Sequence, residues 1–83
     1  MSDAPASPVD NTLRRLRFDH GEMTQDALAR MVGITRQTIV ALEGGRYAPS
    51  LELAMRLADV FGLRVDEVFF WREGSAPPLK KSK

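Results

Sequence analysis

Residues 23–45, MTQDALARMVGITRQTIVALEGG, constrain the fold of this chain more than any other stretch. Thr24 and Thr35 each precede an apolar pattern of helical spacing, and a threonine hydroxyl in such a place caps a helix. Gly33 lies between the two patterns, where the chain must reverse and where a left-handed backbone costs little only for glycine. The stretch therefore predicts two short helices that cross closely at a tight turn.

These predicted helices span about 25–32 and 36–43. Leu28, Met31 and Val32 are expected to face the core from the first of them. Two crossed helices of this kind form the helix-turn-helix arrangement, whose second helix enters the major groove of DNA.

Three segments in order, MTQDALA, VGITRQTIVALEGG and YAPSLELAMRLADVFG, resemble the phage-repressor-like (Xre/Cro) helix-turn-helix family. The resemblance covers roughly residues 11–72. It implies a compact, all-α, five-helix lambda-repressor-like DNA-binding domain. Two positions depart from the family pattern: Glu22 lengthens the first loop, and Gly44 stands where the family often has asparagine. Both glycine and asparagine tolerate the left-handed conformation that ends a helix.

Patterns outside the central stretch predict the remaining helices. The first helix is expected at 11–20 and the fifth at 65–69. The fourth begins after Ser50 as its N-cap and ends at Gly62. Helical spacing predicts that the fourth helix buries Leu51, Ala54, Leu57, Ala58 and Phe61.

Both ends of the chain differ from the predicted domain in composition. Residues 1–10 are rich in alanine, proline and serine and are expected to form a disordered arm. Residues 73–83 contain three lysines and two prolines, and are expected to form a flexible basic tail.

Residues 69–71 form the aromatic run Phe-Phe-Trp, which allows two interpretations. In one, Phe69 and Trp71 close the core while Phe70 is exposed. In the other, Phe70 or Trp71 forms a twofold contact between copies, with a short added C-terminal strand as one form of it, because exposed aromatic clusters mark interfaces. We favour a homodimer through residues 65–72, with its interface at Val65, Val68, Phe70 and Trp71.

Composition limits the classes of protein to consider. The 83 residues suffice for one domain with a small core, and the absence of cysteine excludes disulfides. No apolar run approaches the roughly 20 residues of a membrane span, and the N-terminal residues lack an apolar signal segment. We therefore expect a cytoplasmic protein without membrane contact.

Catalytic and metal chemistry also lack a basis in this sequence. The single histidine, His20, has no set of metal ligands or oriented partner, and is interpreted as a polar residue that ends the first helix. There is also no nucleophile with a base and no phosphate-binding glycine loop. We predict no enzymatic activity, no metal and no cofactor.

The net charge of +1 is weak support for nucleic-acid binding, but residues 24–48 carry Arg30, Arg36 and Arg46 against only Asp26 and Glu43. Residues near the start of the predicted second helix of the pair must reach base edges, and arginine and glutamine suit guanine and adenine respectively. A helix N-terminus, arginine and polar side chains suit phosphate. The base contacts predicted from the residues and the resemblance are Arg36, Gln37, Thr38 and Ala41. The predicted phosphate contacts are Thr24, Gln25, Thr35, Arg46 and Tyr47, although Tyr47 packing over the following loop is an equal alternative.

The resemblance also implies an ion pair between Arg17 and Glu43 that ties the first helix to the third. We therefore interpret Arg17 as structural rather than as a phosphate ligand.

These features predict a sequence-specific DNA-binding transcriptional regulator. We favour a repressor over an activator. Because one such unit contacts few phosphates, a homodimer on a palindromic site in double-stranded DNA is expected. The alternative is an antitoxin-like or adaptor protein that uses the same fold to bind a protein partner.

Overall fold

Five helices and two short strands follow one another along residues 6–74, the part of the chain that the computed structural model describes. In chain order they are β1 (Val9–Asn11), α1 (Leu13–Asp19), α2 (Gln25–Val32), α3 (Arg36–Glu43), α4 (Leu51–Val60), α5 (Val65–Val68) and β2 (Phe69–Trp71). The predicted five-helix architecture is present, and a small antiparallel sheet is added to it. None of these helices combines the length and apolar character needed to span a membrane.

Local capping explains why α2 and α3 begin and end where the sequence predicts. The Thr24 hydroxyl accepts a hydrogen bond from the Ala27 N–H at 2.9 Å, and the Thr35 hydroxyl accepts one from the Thr38 N–H at 3.2 Å. Gly33 adopts φ +79° after α2, the left-handed conformation that glycine permits. The direction of α3 therefore depends on one cap and one turn residue.

The core lies between the helices and is formed by side chains from every helix and from β2. Two residues predicted to be buried are exposed instead, Met31 and Leu51. Met31 lies roughly 100° around α2 from the centre of its buried stripe, and Leu51 is the first residue of α4. The buried apolar residues are Leu13, Leu28, Ala29, Val32, Ile39, Leu42, Ala54, Leu57, Ala58, Phe61, Val68 and Phe69.

Strand β1 pairs with β2 in antiparallel register, with Val9 opposite Trp71 and Asn11 opposite Phe69. The predicted disordered arm at 1–10 is therefore wrong for Val9 and Asp10, and α1 begins at Leu13 rather than Asn11. The two paired strands lie some sixty residues apart in the sequence, so no local pattern predicts their pairing. Residues 1–5 and the tail beyond Gly74 lie outside the described range.

Only one residue of the aromatic run closes the core. Phe69 is buried, whereas Phe70 and Trp71 are 44% and 53% exposed, so Trp71 as a core residue is wrong. Val68 is 0% exposed, which contradicts its prediction as a dimer contact. Val65 is half-buried against the core. The predicted short strand is present, but it pairs with the same chain's own N-terminal segment.

The turn after α3 uses two glycines in different conformations. Gly44 has φ −78°, which is ordinary helical backbone, and Gly45 has φ +71°. The left-handed residue expected at Gly44 is therefore Gly45. This turn directs the chain into the loop that contains Arg46 and Tyr47.

Candidate nucleic-acid interface

A concave surface forms where the N-terminus of α2 meets α1 and the exposed face of α3. The crossing of α2 and α3 places the first residue of α2, Gln25, beside the last residue of α3, Glu43. The lining residues come from all three helices and from the turns next to them: Arg14, Arg17, Thr24, Gln25, Asp26, Arg36, Val40, Glu43 and Gly44.

An ion pair fixes the floor of this surface. Arg17 donates from Nε to Glu43 Oε2 at 2.5 Å and from Nη2 to Glu43 Oε1 at 2.8 Å, and its Nη1 donates to the Met23 carbonyl at 2.7 Å. The side chains are only 14% and 6% exposed. The hydrogen bond with Glu43 raises the pKa of Arg17, against the opposing effect of burial. The predicted Arg17–Glu43 pair is present, and it joins α1 to the end of α3.

Gln25 is held against the same carboxylate. Its Nε2 donates to Glu43 Oε1 at 3.1 Å, an interaction that sequence reasoning missed. The Thr24 hydroxyl is engaged as the cap of α2. The first turn of α2 therefore presents its backbone N–H groups beside an ordered glutamine side chain, a geometry that suits an anion.

Three of the predicted base-reading residues lie in the first turn of α3, and Ala41 lies in the following turn. Arg36 and Gln37 are exposed, whereas Thr38 and Ala41 are half-buried. The hydroxyls of Thr35 and Thr38 lie 3.0 Å apart and bond to each other, so both face the start of the helix.

Val40 is a member of this surface that the predicted site omitted. It is 45% exposed and lines the concavity one helical turn beyond Arg36. The spacing of four residues from Arg36 was the available signal, because such residues share a helix face.

Three arginines on or near this surface have no carboxylate partner among residues 6–74. Among residues 6–74, ion pairs engage the arginines at 15, 17, 30, 56, 64 and 72. Within that range Arg14, Arg36 and Arg46 have no carboxylate partner. Arg14 and Arg36 line the concavity, and Arg46 lies beside exposed Tyr47 in the loop after α3.

His20 lies away from these residues and ends α1. Its Nδ1 is 2.9 Å from the Leu16 carbonyl oxygen, and its ring meets Phe61 edge-on at 4.9 Å between centroids. This matches its interpretation as a helix-ending residue. In the described part of the chain, histidine and carboxylate side chains form no group suited to a metal ion.

Comparison with known proteins bears on this arrangement directly. A sequence model of the helix-turn-helix family matches residues 13–68, which include all five helices. The chain belongs to the Xre/Cro-type helix-turn-helix family. Within it, α2 and α3 are the helix-turn-helix unit, and α3 is the helix at the position of the DNA-reading element.

Three similar proteins illustrate the family. A Methanocaldococcus jannaschii protein named an uncharacterized HTH-type transcriptional regulator is 41% identical over 65 residues, or 78% of this chain and 97% of the relative. A Bacillus subtilis protein of the same description is 40% identical over 65 residues, with the same coverage. The crystal structure of a hypothetical transcription factor from Neisseria has a TM-score of 0.61 and 27% identity. That match covers 68% of this helix-turn-helix chain and 63% of the Neisseria chain.

Proposed function

We propose that this protein is a sequence-specific DNA-binding transcriptional regulator that acts as a homodimeric repressor on a palindromic site. The observation that carries the proposal is one surface lined by the first turn of α2 and by Arg36, Val40 and Glu43 of α3, where Arg36 has no carboxylate partner among residues 6–74. This surface brings a helix N-terminus that suits a phosphate next to a helix whose side chains can reach base edges.

Sequence preference arises from α3 in this proposal. Arg36 and Gln37 contact guanine and adenine in the major groove, since each can form paired hydrogen bonds with those bases. Thr38 and Ala41 lie beside them on the helix and offer a hydroxyl and a methyl group. Val40 adds an apolar contact that fits a thymine methyl group.

Affinity arises mainly from the phosphate contacts. Thr24, Gln25 and Thr35 surround the two helix starts, where N–H groups and the helix dipole favour an anion. Arg46 and Tyr47 reach the backbone from the loop after α3. Because these contacts displace counterions, binding should weaken as salt is added.

Selection of bound sequences from random double-stranded DNA tests the proposal. We expect an enriched palindrome whose two half-sites have centres about 10 base pairs apart, because twofold proteins read two major-groove segments on one side of the duplex. Recovery of unenriched DNA would refute sequence-specific regulation, and a single unrepeated half-site would refute the dimer.

The dimer has a separate test at the aromatic residues of β2. Phe70 and Trp71 are exposed beside half-buried Val9, on a sheet that has two strands within residues 6–74. We expect Trp71→Ala to lower the sedimentation mass from two copies toward one, because burying an aromatic side chain contributes strongly to an interface. Phe18→Ala is the matched control, since Phe18 is an exposed aromatic on α1. A Trp71→Ala protein that remains dimeric would remove this surface from the proposal.

A further inference from the structure

Arg72 connects three separate parts of the chain. Its Nε donates to the Ser7 carbonyl at 3.0 Å, its Nη1 to Asp10 Oδ2 at 3.1 Å and its Nη2 to the Gly45 carbonyl at 3.3 Å. One half-buried guanidinium thus joins the segment before β1, the end of β2 and the turn after α3. We refer to Arg72, Ser7, Asp10 and Gly45 as the Arg72 clamp.

Backbone hydrogen bonds close the clamp. The Ser7 N–H donates to the Gly45 carbonyl at 2.7 Å, and the Arg72 N–H donates to the Pro8 carbonyl at 2.7 Å. The Gly45 carbonyl therefore accepts two hydrogen bonds from distant residues. A side chain at Gly45 would collide with the Arg72 guanidinium, so the glycine permits the close approach as well as the turn.

The same segment also caps the end of α3. The Asn11 side chain donates from Nδ2 to the Leu42 carbonyl at 2.7 Å. The last carbonyls of a helix lack partners within it, and here β1 supplies one. The C-terminal end of α3 and the turn after it are thus held by residues from the two ends of the described chain.

Three of the four clamp residues lie outside the segment that matches the family model. The family match begins at residue 13 and ends at residue 68. Ser7, Asp10 and Asn11 precede it, and Arg72 follows it. Gly45 lies inside the match and directly precedes Arg46 and Tyr47. Residues on both sides of the matched segment therefore converge on the turn that follows α3.

We propose that Arg72 is a positioning residue for phosphate binding: by holding the Gly45 carbonyl it aims Arg46 and Tyr47 at the DNA backbone. The inference rests on the proposed function. Binding by a loop that is already ordered avoids the entropy cost of ordering it in the complex. Arg72 acts through the loop and does not itself contact DNA.

A double-mutant cycle between Arg72 and Arg46 tests this role on a DNA site chosen by selection. We expect Arg72→Gln to raise Kd about tenfold and to reduce the slope of log K against log salt by about one, because phosphate contact is lost. In an Arg46→Ala background the further loss should fall below about threefold, since coupled residues do not act additively. Arg72→Lys should behave as Arg72→Gln does, because lysine keeps the charge but lacks the planar fork.

Arg64→Gln controls for the loss of one positive charge. Arg64 is an exposed residue that pairs with Asp66 in its own turn, and its substitution should leave Kd within about twofold. Hydrogen exchange of the Ser7 amide in the free protein provides a readout without DNA, and it should accelerate in Arg72→Gln but not in Arg64→Gln.

The outcomes separate the two ideas. Additive losses in the cycle would show that Arg72 acts independently of the loop and would overturn the clamp proposal alone. Faster Ser7 exchange with unchanged Kd would overturn it as well, because the clamp would then open without consequence for binding. A wild-type protein that binds no selected DNA would refute the proposed function first, and the role of the clamp with it.

Discussion

Replacing Arg36 and Gln37 together with alanine is expected to reduce strongly the preference for a selected DNA site over random DNA. Each paired contact with a base contributes about 1–3 kcal/mol of discrimination, so the two changes should reduce the specificity ratio about 30-fold or more. Both side chains are exposed, and the fold should therefore remain intact. Competition binding with the selected site and a scrambled duplex measures the ratio, and circular dichroism checks the fold.

Arg56→Ala provides the comparison for that experiment. Arg56 is an exposed arginine on α4 that pairs with Glu52 at 2.6 Å, away from the concave surface. Its removal should leave the specificity ratio unchanged. Retention of the ratio in the Arg36→Ala, Gln37→Ala protein would show that α3 does not read the bases.

Replacing Arg17 with methionine is expected to destabilise the protein severely. The change strands the Glu43 carboxylate, which is only 6% exposed, and it leaves the Met23 carbonyl without its donor. Breaking a buried pair in this way costs about 3–5 kcal/mol. In a domain of this size the loss corresponds to a decrease in Tm of about 12 °C or more. Thermal and urea unfolding measure both quantities.

Two further variants make the stability test specific. Arg30→Met removes an arginine that is 81% exposed and pairs with Asp26 along the same helix, and it should cost at most about 0.5 kcal/mol. Adding Glu43→Leu to Arg17→Met should recover part of the loss, because no buried charge then lacks a partner. Equal losses in Arg17→Met and Arg30→Met would mean that the buried pair has no special role in stability.

The helix-turn-helix unit was predictable because its signals are local. Thr24, Gly33 and Thr35 fix the limits of α2 and α3 within a few residues of themselves, and the structure reproduces those limits. The family resemblance supplied the Arg17–Glu43 pair, which no local pattern could have indicated. The exposed position of Arg36 and Gln37 follows from the same helical phase that buries Ile39 and Leu42.

The incorrect predictions involve long-range packing. The local composition predicts that Val9 and Asp10 belong to a disordered arm. Their strand forms only by pairing with Phe70 and Trp71, which lie far away in the sequence. The sequence predicts Val68 in an interface between copies, but α5 places its side chain in the core. The hydrogen bond from Gln25 to Glu43 and the contacts of Arg72 join residues far apart in sequence. Such contacts depend on the assembled fold, and the periodic pattern of apolar residues in the sequence does not predict them.

The pairing of β1 with β2 has a practical consequence for anyone who shortens this protein. Each strand is the other's only partner in the described sheet, so deleting one terminus also releases the other. A fragment trimmed to 13–68 would retain all five described helices. It would lose the pairing of β1 with β2 that joins the N-terminal and C-terminal segments of the longer chain. Fusion tags or fluorescent labels placed near Ser7 and near Arg72 would emerge side by side, and each would report on the same corner of the molecule.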